Sequence, residues 1–389
     1  MNLTEDLFAE FPETSKADWL KQLEAELRGR SFADLQWQLE EEIVLDPFYH
    51  PDDFPEMPQP LFQKSSNDWE IGEYVFVNDV KAANQQALRA LEGGVNALFF
   101  QIKHEPTIAE LKVLLDGIEL SYISSHFAPY YPGKNPVRIF RLLSEFLNGR
   151  GEGARLIRGS IDFDPLLDWS NPPLDDLAQY LLMAKEALPN FSVLQIDAKP
   201  YHGGPEDTSR ELALAIAKGS EYLAQMQARG VAPAEVNRRL QFSMAVSSSY
   251  FVEIAKLRAI RALWNNVLTG YGVEHPEPVT VVGHLAPETQ VADPNTNLIK
   301  AATQAMSAVI GGVDRFYVLP RDADHKDPSP PASYRLARNL QHILKMESFF
   351  DRVVDPAAGS YYIEKLTDAL AETAWKQFQE IEASGGFGV

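Results

Sequence analysis

The chain has 389 residues, a formal net charge of -20, no cysteine, and 45% hydrophobic against 23% charged residues. Such acidity argues against a nucleic-acid partner, because that binding rests on Lys and Arg displacing counterions from phosphates, and the missing cysteines exclude disulfides, thiolate zinc sites and cysteine nucleophiles. No apolar run approaches the roughly 18 residues that cross a bilayer, and Met1-Asn-Leu-Thr-Glu-Asp6 lacks the basic and apolar regions of a secretory signal, so a soluble, cytoplasmic protein is expected.

Residues 1–60 read as an arm. Thr14-Ser15 precedes Trp19, Leu20, Leu23 and Leu27 at helical spacing, ending near Gly29. Residues 46–60 are too proline-rich for regular structure and are expected to wrap over another surface, in this chain or a partner.

From Asn78 onward short apolar runs alternate with helical patterns. Strands are expected at 95–102, 121–127, 156–163, 192–196, 240–246, 279–282, 315–319 and 353–363, and helices near 107–116, 136–149, 174–188, 207–229, 250–269, 295–310, 332–348 and 365–383. Eight strands each followed by a helix predict an α/β fold, a (β/α)8 TIM barrel over residues 61–389. An open doubly wound sheet is disfavoured, since no Gly-x-Gly-x-x-Gly follows the first strand. In the helix at 250–269, Phe251, Ile254, Leu257 and Trp264 are expected to face the sheet, with Glu253, Lys256 and Arg261 as a solvated stripe.

Barrel enzymes react at the carboxyl ends of their strands, which narrows the candidates to His104, His126, Asp162 with Asp164, Asp197 with Tyr201 and His202, Ser247 to Ser249, His284, Arg321 and Asp355. Tyr201-His202-Gly203-Gly204 stands out, since glycines permit close approach and both side chains hydrogen-bond a carbonyl; it is equally a plain loop. His284 can face the same mouth, although a lone histidine is more often structural. Asp162 and Asp164, two apart, are expected to point the same way, either for acid-base work or, preferably, to end a strand. There is no His-x-x-x-His, His-x-His or Gly-x-Ser-x-Gly, so neither a metal site nor serine hydrolase chemistry is expected.

Two blocks carry a resemblance. Arg335-Leu-Ala-Arg-Asn-Leu-Gln341 followed by Val354-Asp-Pro-Ala-Ala-Gly-Ser-Tyr-Tyr-Ile-Glu364, and Phe251-Val-Glu-Ile-Ala-Lys-Leu-Arg-Ala-Ile-Arg-Ala-Leu-Trp264, resemble the acyl-CoA-binding barrel of the methylmalonyl-CoA mutase family, over residues of about 60–388. That family joins a barrel whose bore admits the pantetheine chain to a domain binding adenosylcobalamin, and interconverts methylmalonyl-CoA and succinyl-CoA by a radical route. It includes heterodimers whose smaller subunit is a degenerate copy of the catalytic one.

Substrate-facing motifs depart from the family's pattern. Ile71-Gly72-Glu73-Tyr74-Val75-Phe76 stands in place of Ile-Arg-Gln-Tyr-Ala-Gly, keeping the tyrosine and losing the arginine. Pro172-Pro-Leu-Asp175 puts an acid near the place of the carboxylate-binding arginine of Pro-x-Pro-Ser-Met-Arg, and a carboxylate repels another. Tyr201-His202 is shifted by two residues from the Ser-Gly-Tyr-His position, and Arg315-Phe-Tyr-Val-Leu-Pro320 replaces Ser-Leu-His-Thr-Asn. The cobalt-ligating Asp-x-His-x-x-Gly does not occur, Asp324-His325 being misspaced, and residues 385–389 lie where a linker to the cobalamin domain would begin. Phe11-Pro12, Trp19 and Asp46-Pro-Phe-Tyr49 resemble the arm of the small subunit.

The resemblance therefore implies a small, catalytically silent subunit with no catalytic residues, no cobalamin domain of its own, and Tyr74, Tyr201, His202 and His284 as vestigial substrate-binding residues. It further implies adenosylcobalamin in a large catalytic partner, and a possible residual CoA ester. Two other readings stand beside it: an active acyl-CoA mutase barrel served by a cobalamin domain on a separate chain, and a cobalamin-independent lyase or isomerase using Tyr201, His202 and His284.

Overall fold

The computed structural model describes residues 14–54, 64, 66–131, 133–150, 153–323 and 329–388. The arm comprises α1 (Lys16–Leu27) and an antiparallel pair, β1 (Trp37–Glu40) and β2 (Ile43–Leu45). Ser15 starts α1 with a capping box to Asp18. In chain order there follow β3 (Glu70–Val77), α2 (Val80–Glu92), β4 (Ala97–Ile102), α3 (Ile108–Leu114), β5 (Ser124–Pro129), α4 (Pro136–Arg150), β6 (Arg158–Ile161), α5 (Pro165–Asp168), α6 (Leu174–Ala187), β7 (Phe191–Ser192) and β8 (Leu194–Asp197). The rest are α7 (Thr208–Ala228), α8 (Pro233–Arg238), β9 (Leu240–Val246), α9 (Tyr250–Gly270), β10 (Thr280–Leu285), α10 (Pro294–Ile310), β11 (Arg315–Tyr317), α11 (Pro331–Met346) and α12 (Tyr361–Ala383).

β3 to β11 are parallel, in the order β7-β6-β5-β4-β3-β11-β10-β9-β8. β7 and β8 are halves of one stave, interrupted at Val193, where the N–H groups of Val193 and Leu194 both donate to the Arg239 carbonyl at 2.9 and 3.0 Å. Two donors on one acceptor is the signature of a bulge. β6 pairs with the first half and β9 with the second, and Gln195 N still donates to Phe163 O at 2.9 Å, so the sheet closes into an eight-stave TIM barrel.

Two expectations are corrected. Residues 353–363 form no strand: Asp355 takes a left-handed φ of 47°, Pro356 and Gly359 interrupt the run, and Tyr361 already begins α12. The first stave is β3, concealed in the sequence by two acids that are paired in the fold, Glu70 with Arg315 at 2.9 Å and Glu73 with Arg338 at 2.7 Å.

The main core lies between sheet and helices, with Val75, Phe100, Phe127, Phe242 and Val281 against Leu181, Leu257, Trp264 and Leu340. In α9, Phe251 is 51% exposed while Glu253, Lys256 and Arg261 are buried, the reverse of the solvated stripe expected. The cause is that α9 is flanked by α7, α10 and α12, and these three charges turn to α7, to Ser247 and to the segments at residues 279 and 312–314 instead of to water. The buried charges are matched one by one. Lys256 Nζ lies 3.2 Å from Glu211 and 2.8 Å from Glu253, and Arg261 reaches Asp314 at 2.8 Å and the carbonyls of Val279 and Gly312 at 2.7 Å.

The described part of the arm packs on its own barrel. Tyr49 meets Tyr362 and Phe54 meets Tyr361, with ring centroids 6.2 and 5.2 Å apart, while residues 55–60 of the expected wrapping segment and Phe11-Pro12 lie outside the described residues. Glu40 Oε1 accepts from Ser209 N at 2.9 Å, supplying the cap that Asp207 does not give to α7. Burial raises the Glu40 carboxyl, with the Ser209 hydrogen bonds opposing. Removing a cap costs about 0.5–2 kcal/mol, so Glu40→Ala is expected to lower the thermal midpoint slightly and to speed amide exchange in β1 and at the start of α7. Unchanged exchange at Ser209 would contradict the capping role.

Candidate functional site

Alternation along a parallel strand sends every second side chain into the barrel. On one side of the interior these are aromatic: Tyr74 from β3, Phe99 from β4, His284 from β10 and Tyr317 from β11. Tyr74 OH is hydrogen-bonded to His284 Nδ1 at 2.7 Å. Tyr317 lies with its ring centroid 5.1 Å from each of Tyr74, Phe99 and His284, and Phe99 is 5.5 Å from Tyr74 and 5.9 Å from His284. These centroid distances are those of rings in contact. The four rings fill the bore.

Gly72, two residues before Tyr74 on β3, makes that filling possible. A Cβ there would stand 2.4 Å from two carbons of the Tyr317 ring and 2.8 Å from the Phe316 carbonyl oxygen. Burial pushes the Tyr74 and Tyr317 hydroxyls well up. It holds His284 well below the usual imidazole range, with Lys199 and Arg315 adding to the effect. The Tyr74–His284 pair is thus neutral and poorly suited to exchange a proton near pH 7.

The other side of the interior is polar. His126 is held between Ser160 and Ser124, 2.9 Å from each hydroxyl, and burial keeps its imidazole neutral. Beyond β6, Asp162 faces Gln241 and Gln195, and at the end of β8 Lys199 reaches Asp197 at 3.1 Å and Ser243 at 3.0 Å. Burial pushes Asp162 up to about 7, Lys199 opposing and Asp197 adding to the rise. Above the rings a cleft of about 290 Å³ is lined by Phe76, Lys103, Tyr130, Lys199, His284 and Glu288, among others. That is the lower end of the roughly 300–1,000 Å³ of small-molecule clefts.

The four candidates for substrate contact divide into two pairs. Tyr74 and His284 meet in the bore. Tyr201 turns away from the mouth, its ring 6.3 Å from that of Phe387 and under Lys218 Nζ at 4.8 Å. His202 is clasped by Glu211 at 2.9 Å and Glu288 at 3.4 Å, with 3% of its side chain exposed.

Asp164 does not point with Asp162. The strand ends at Ile161, and Asp164 turns to the helix layer, bonded to Lys218 at 2.6 Å, Tyr222 at 2.5 Å and Asp197 N at 2.8 Å. His104 pairs with Glu110 at 3.1 Å on the surface, Ser247 bonds Glu253 at 2.6 Å, and Arg321 reaches Asn295 at 3.1 Å. Asp355 ends no strand and is bound to Arg258. Asp175, near the place of the expected arginine, is 85% exposed and pairs with Arg229 on the outside of the barrel. Asp324-His325 lies outside the described residues.

Phe99, Tyr317, Lys103 and Lys199 were not among the candidates; a sequence signal existed only for the last two, as cations just past strand ends. Among the described residues no group of three or more His, Asp or Glu is placed to hold a metal ion. The rings of Tyr74, Phe99 and His284 form the floor of the cleft of about 290 Å³.

The family model described as methylmalonyl-CoA mutase matches residues 105–388. The methylmalonyl-CoA mutase small subunit of Porphyromonas gingivalis is 33% identical over 98% of this chain and 65% of its own length. The methylmalonyl-CoA mutase of Cereibacter sphaeroides is 29% identical over 99% of this chain and 59% of its own length, and the small subunit from Streptomyces virginiae is 29% identical over 98% and 65%. The chain thus spans 59–65% of the length of these relatives. Among solved structures, Yersinia pestis dihydropteroate synthase is 12% identical with a TM-score of 0.41, covering 81% of this chain and 99% of that one.

Proposed function

The chain belongs to the methylmalonyl-CoA mutase family, and on that premise we propose that it is a small, catalytically silent subunit supporting a large catalytic partner that carries adenosylcobalamin. The observation that carries this reading is the filled bore. Gly72 stands where the family's motif has arginine, and the ring of Tyr317 occupies the space beside it. Loss of a substrate-binding cation and closure of the substrate's path are therefore one physical change. Phe76, in the place of the motif's last glycine, adds an aromatic wall to the cleft above.

The neutral Tyr74–His284 pair and the outward placing of Tyr201 and Asp175 support the same reading. They also count against a cobalamin-independent lyase, whose three residues would have to meet, and against an active barrel served by a separate cobalamin chain, since neither Gly72 nor Asp175 supplies the cation of the family's motifs. Tyr74 and His284 then remain as vestiges of a substrate site, and residues 61–389 as a scaffold.

The arm, residues 1–60, is proposed as a contact for the large subunit. No residue of α1 is buried, although Trp19, Leu20, Leu23 and Leu27 line one face, and Trp37 and Val44 are 44% and 48% exposed. A cytoplasmic location fits this role; no helix among the described residues is long and apolar enough to cross a membrane.

The test is reconstitution with the large subunit and adenosylcobalamin. This chain alone is expected to convert no methylmalonyl-CoA, and His284→Ala in the complex to leave kcat within about twofold. The double change Trp37→Ala with Val44→Ala is expected to weaken association at least tenfold, equal to about 1.4 kcal/mol, with the folding midpoint of the chain unaltered. Turnover that survives inactivation of the partner's own barrel would overturn the proposal.

A further inference from the structure

The polar side of the bore contains a triangle whose hydrogen bonds close in only one protonation state. One end of the Gln195 amide lies 2.9 and 3.1 Å from the two oxygens of Asp162 and 3.1 Å from Gln241 Nε2. Gln241 Nε2 also lies 3.3 Å from Asp162 Oδ1 and 3.3 Å from Ser160 Oγ. The oxygen of the Gln241 amide has no partner.

An ionised carboxylate only accepts hydrogen bonds, whereas an amide end is either a donor or an acceptor. If Asp162 is ionised, Gln195 must turn its NH2 towards it, and that NH2 then meets the NH2 of Gln241 donor to donor. Turning Gln241 as well removes this conflict but brings its oxygen against the carboxylate. Either arrangement keeps one repulsive contact in a buried site, where unmatched polar groups cost most. If Asp162 is protonated, its O–H donates to Gln195 Oε1 and Gln241 donates to that same oxygen, so the contacts inside the triangle are matched, while Gln195 Nε2 faces only donors and the Gln241 oxygen stays without a partner.

The charged and titratable neighbours do not undo this. From the end of β8, Lys199 and Asp197 face Asp162; Lys199 is engaged by Asp197 and Ser243. From β11 come Arg315, which is bonded to Glu70 at 2.9 Å, and Tyr317. Tyr74 of β3, Tyr130, just after β5, and Tyr180 of α6 face it as neutral phenols, and His126 of β5, a neutral imidazole, reaches it only through Ser160.

We infer that Asp162, Gln195 and Gln241 form a proton-dependent latch inside the barrel, closed when the carboxylic acid of Asp162 donates to Gln195 and opened when its proton leaves to solvent through the mouth. The closed latch ties β8 and β9 to the chain leaving β6. Opening it turns the Gln195 amide over and breaks the match with Gln241. The device rests on the geometry of the bore and not on the proposed subunit role.

The sign of the pH effect follows from linkage. The folded Asp162 titrates near 7 and an unfolded aspartate near 3.8, so the folded form holds a proton that the unfolded chain has released between those values. The stabilising effect is complete below about 4, falls as pH rises towards 7, and levels off above it. Asp162→Asn supplies a permanent NH2 donor to Gln195 Oε1 and removes the titration.

The experiment combines urea denaturation of the purified chain and of Asp162→Asn from pH 5 to pH 8 with NMR of aspartate-carboxyl-labelled protein. Relative to the variant, the folding constant of the unaltered chain is expected to fall at least tenfold between pH 5 and 7 and by no more than about twofold from 7 to 8. The Asp162 carboxyl and the side-chain amides of Gln195 and Gln241 are expected to shift together with one midpoint near 7. An Asp162 carboxyl already ionised at pH 5.5, or one that titrates without moving those amides, overturns the inference. The NMR measurement decides the matter on the unaltered chain even if the variant does not fold.

Discussion

Replacing Arg258 with alanine is expected to cost about 3–5 kcal/mol of folding stability, the usual effect of removing one partner of a buried ion pair. The guanidinium of Arg258 is fully buried on α9 and binds Asp355 at 2.9 and 3.1 Å, Glu364 at 3.0 Å and Thr367 at 2.9 Å. Glu364 in turn accepts from Gly359 N at 2.8 Å. One cation thus fixes both the left-handed turn at Asp355 and the start of α12 against α9. Without it two carboxylates are left in a site sealed from water.

The loss would be a large share of the roughly 5–15 kcal/mol by which a domain is stable. Burial already raises the Asp355 carboxyl, with Arg258 opposing. With the cation gone its folded value rises further, so stability is lost as pH climbs from the unfolded value towards the folded one, and the deficit should be smaller in acid than at neutrality. Urea midpoints at pH 5 and 7.5 test this. The triple change Arg258→Met, Asp355→Asn, Glu364→Gln should recover most of the loss, because neutral groups of similar size often replace a buried ion pair at little cost. A single-variant cost below about 1 kcal/mol, the range of a surface pair, would show that α12 is held by something else.

The second large effect lies at Gly72. Its alanine variant must move the Tyr317 ring, and overpacking of this kind costs about 1–3 kcal/mol. Tyr317→Ala alone opens a cavity and should cost about 3–5 kcal/mol, as for other large aromatic deletions. The informative construction is the double variant. If the two positions share one volume, Gly72→Ala loses its clash with the ring once the ring has gone and keeps only the contact with the Phe316 carbonyl oxygen, and the combined cost falls below the sum of the parts by at least 1 kcal/mol, well outside the roughly 0.3–0.5 kcal/mol scatter of independent sites. Additive costs would mean that the glycine has a separate role.

Much of this architecture was legible in the sequence because β-branched and aromatic runs, and apolar residues at helical spacing, follow from geometry that each segment imposes on itself. Residues 240–246 match β9 residue for residue. Misreadings occurred where one segment's environment is made by another. Glu70 and Glu73 broke the apolar pattern of β3, and their partners Arg315 and Arg338 lie more than 240 residues away. Charges three apart on α9 look alike whether they face water or the carboxylates and carbonyls of neighbouring segments, so the buried network there was invisible until those neighbours were seen.

The site shows the same limit. His284 was legible as a polar group near a strand end, and Tyr74 only as the tyrosine kept from the family's motif. Phe99 and Tyr317 read as ordinary strand aromatics, and their meaning depends on Gly72, a residue known only by the side chain it lacks. Tyr201 and His202 were plausible by type and position, but the direction a loop side chain takes is set by neighbours such as Phe387 and Glu211.

The interruption at Val193 fixes the parity of everything after it on that stave. Ser192 sits beside Ser160 and Gln195 beside Gln241, three positions apart where uninterrupted alternation allows only two or four. Deleting that one residue would leave Ser192 and Gln195 two apart and keep the frame, whereas retaining Val193 and pairing it as a regular strand residue would reverse it, sending Leu194 and Ile196 into the bore and driving Gln195, Asp197 and Lys199 into the oily layer beneath the helices. The chemical character of the barrel's interior on this stave therefore rests on a backbone irregularity that absorbs one extra residue, and on no side chain of its own.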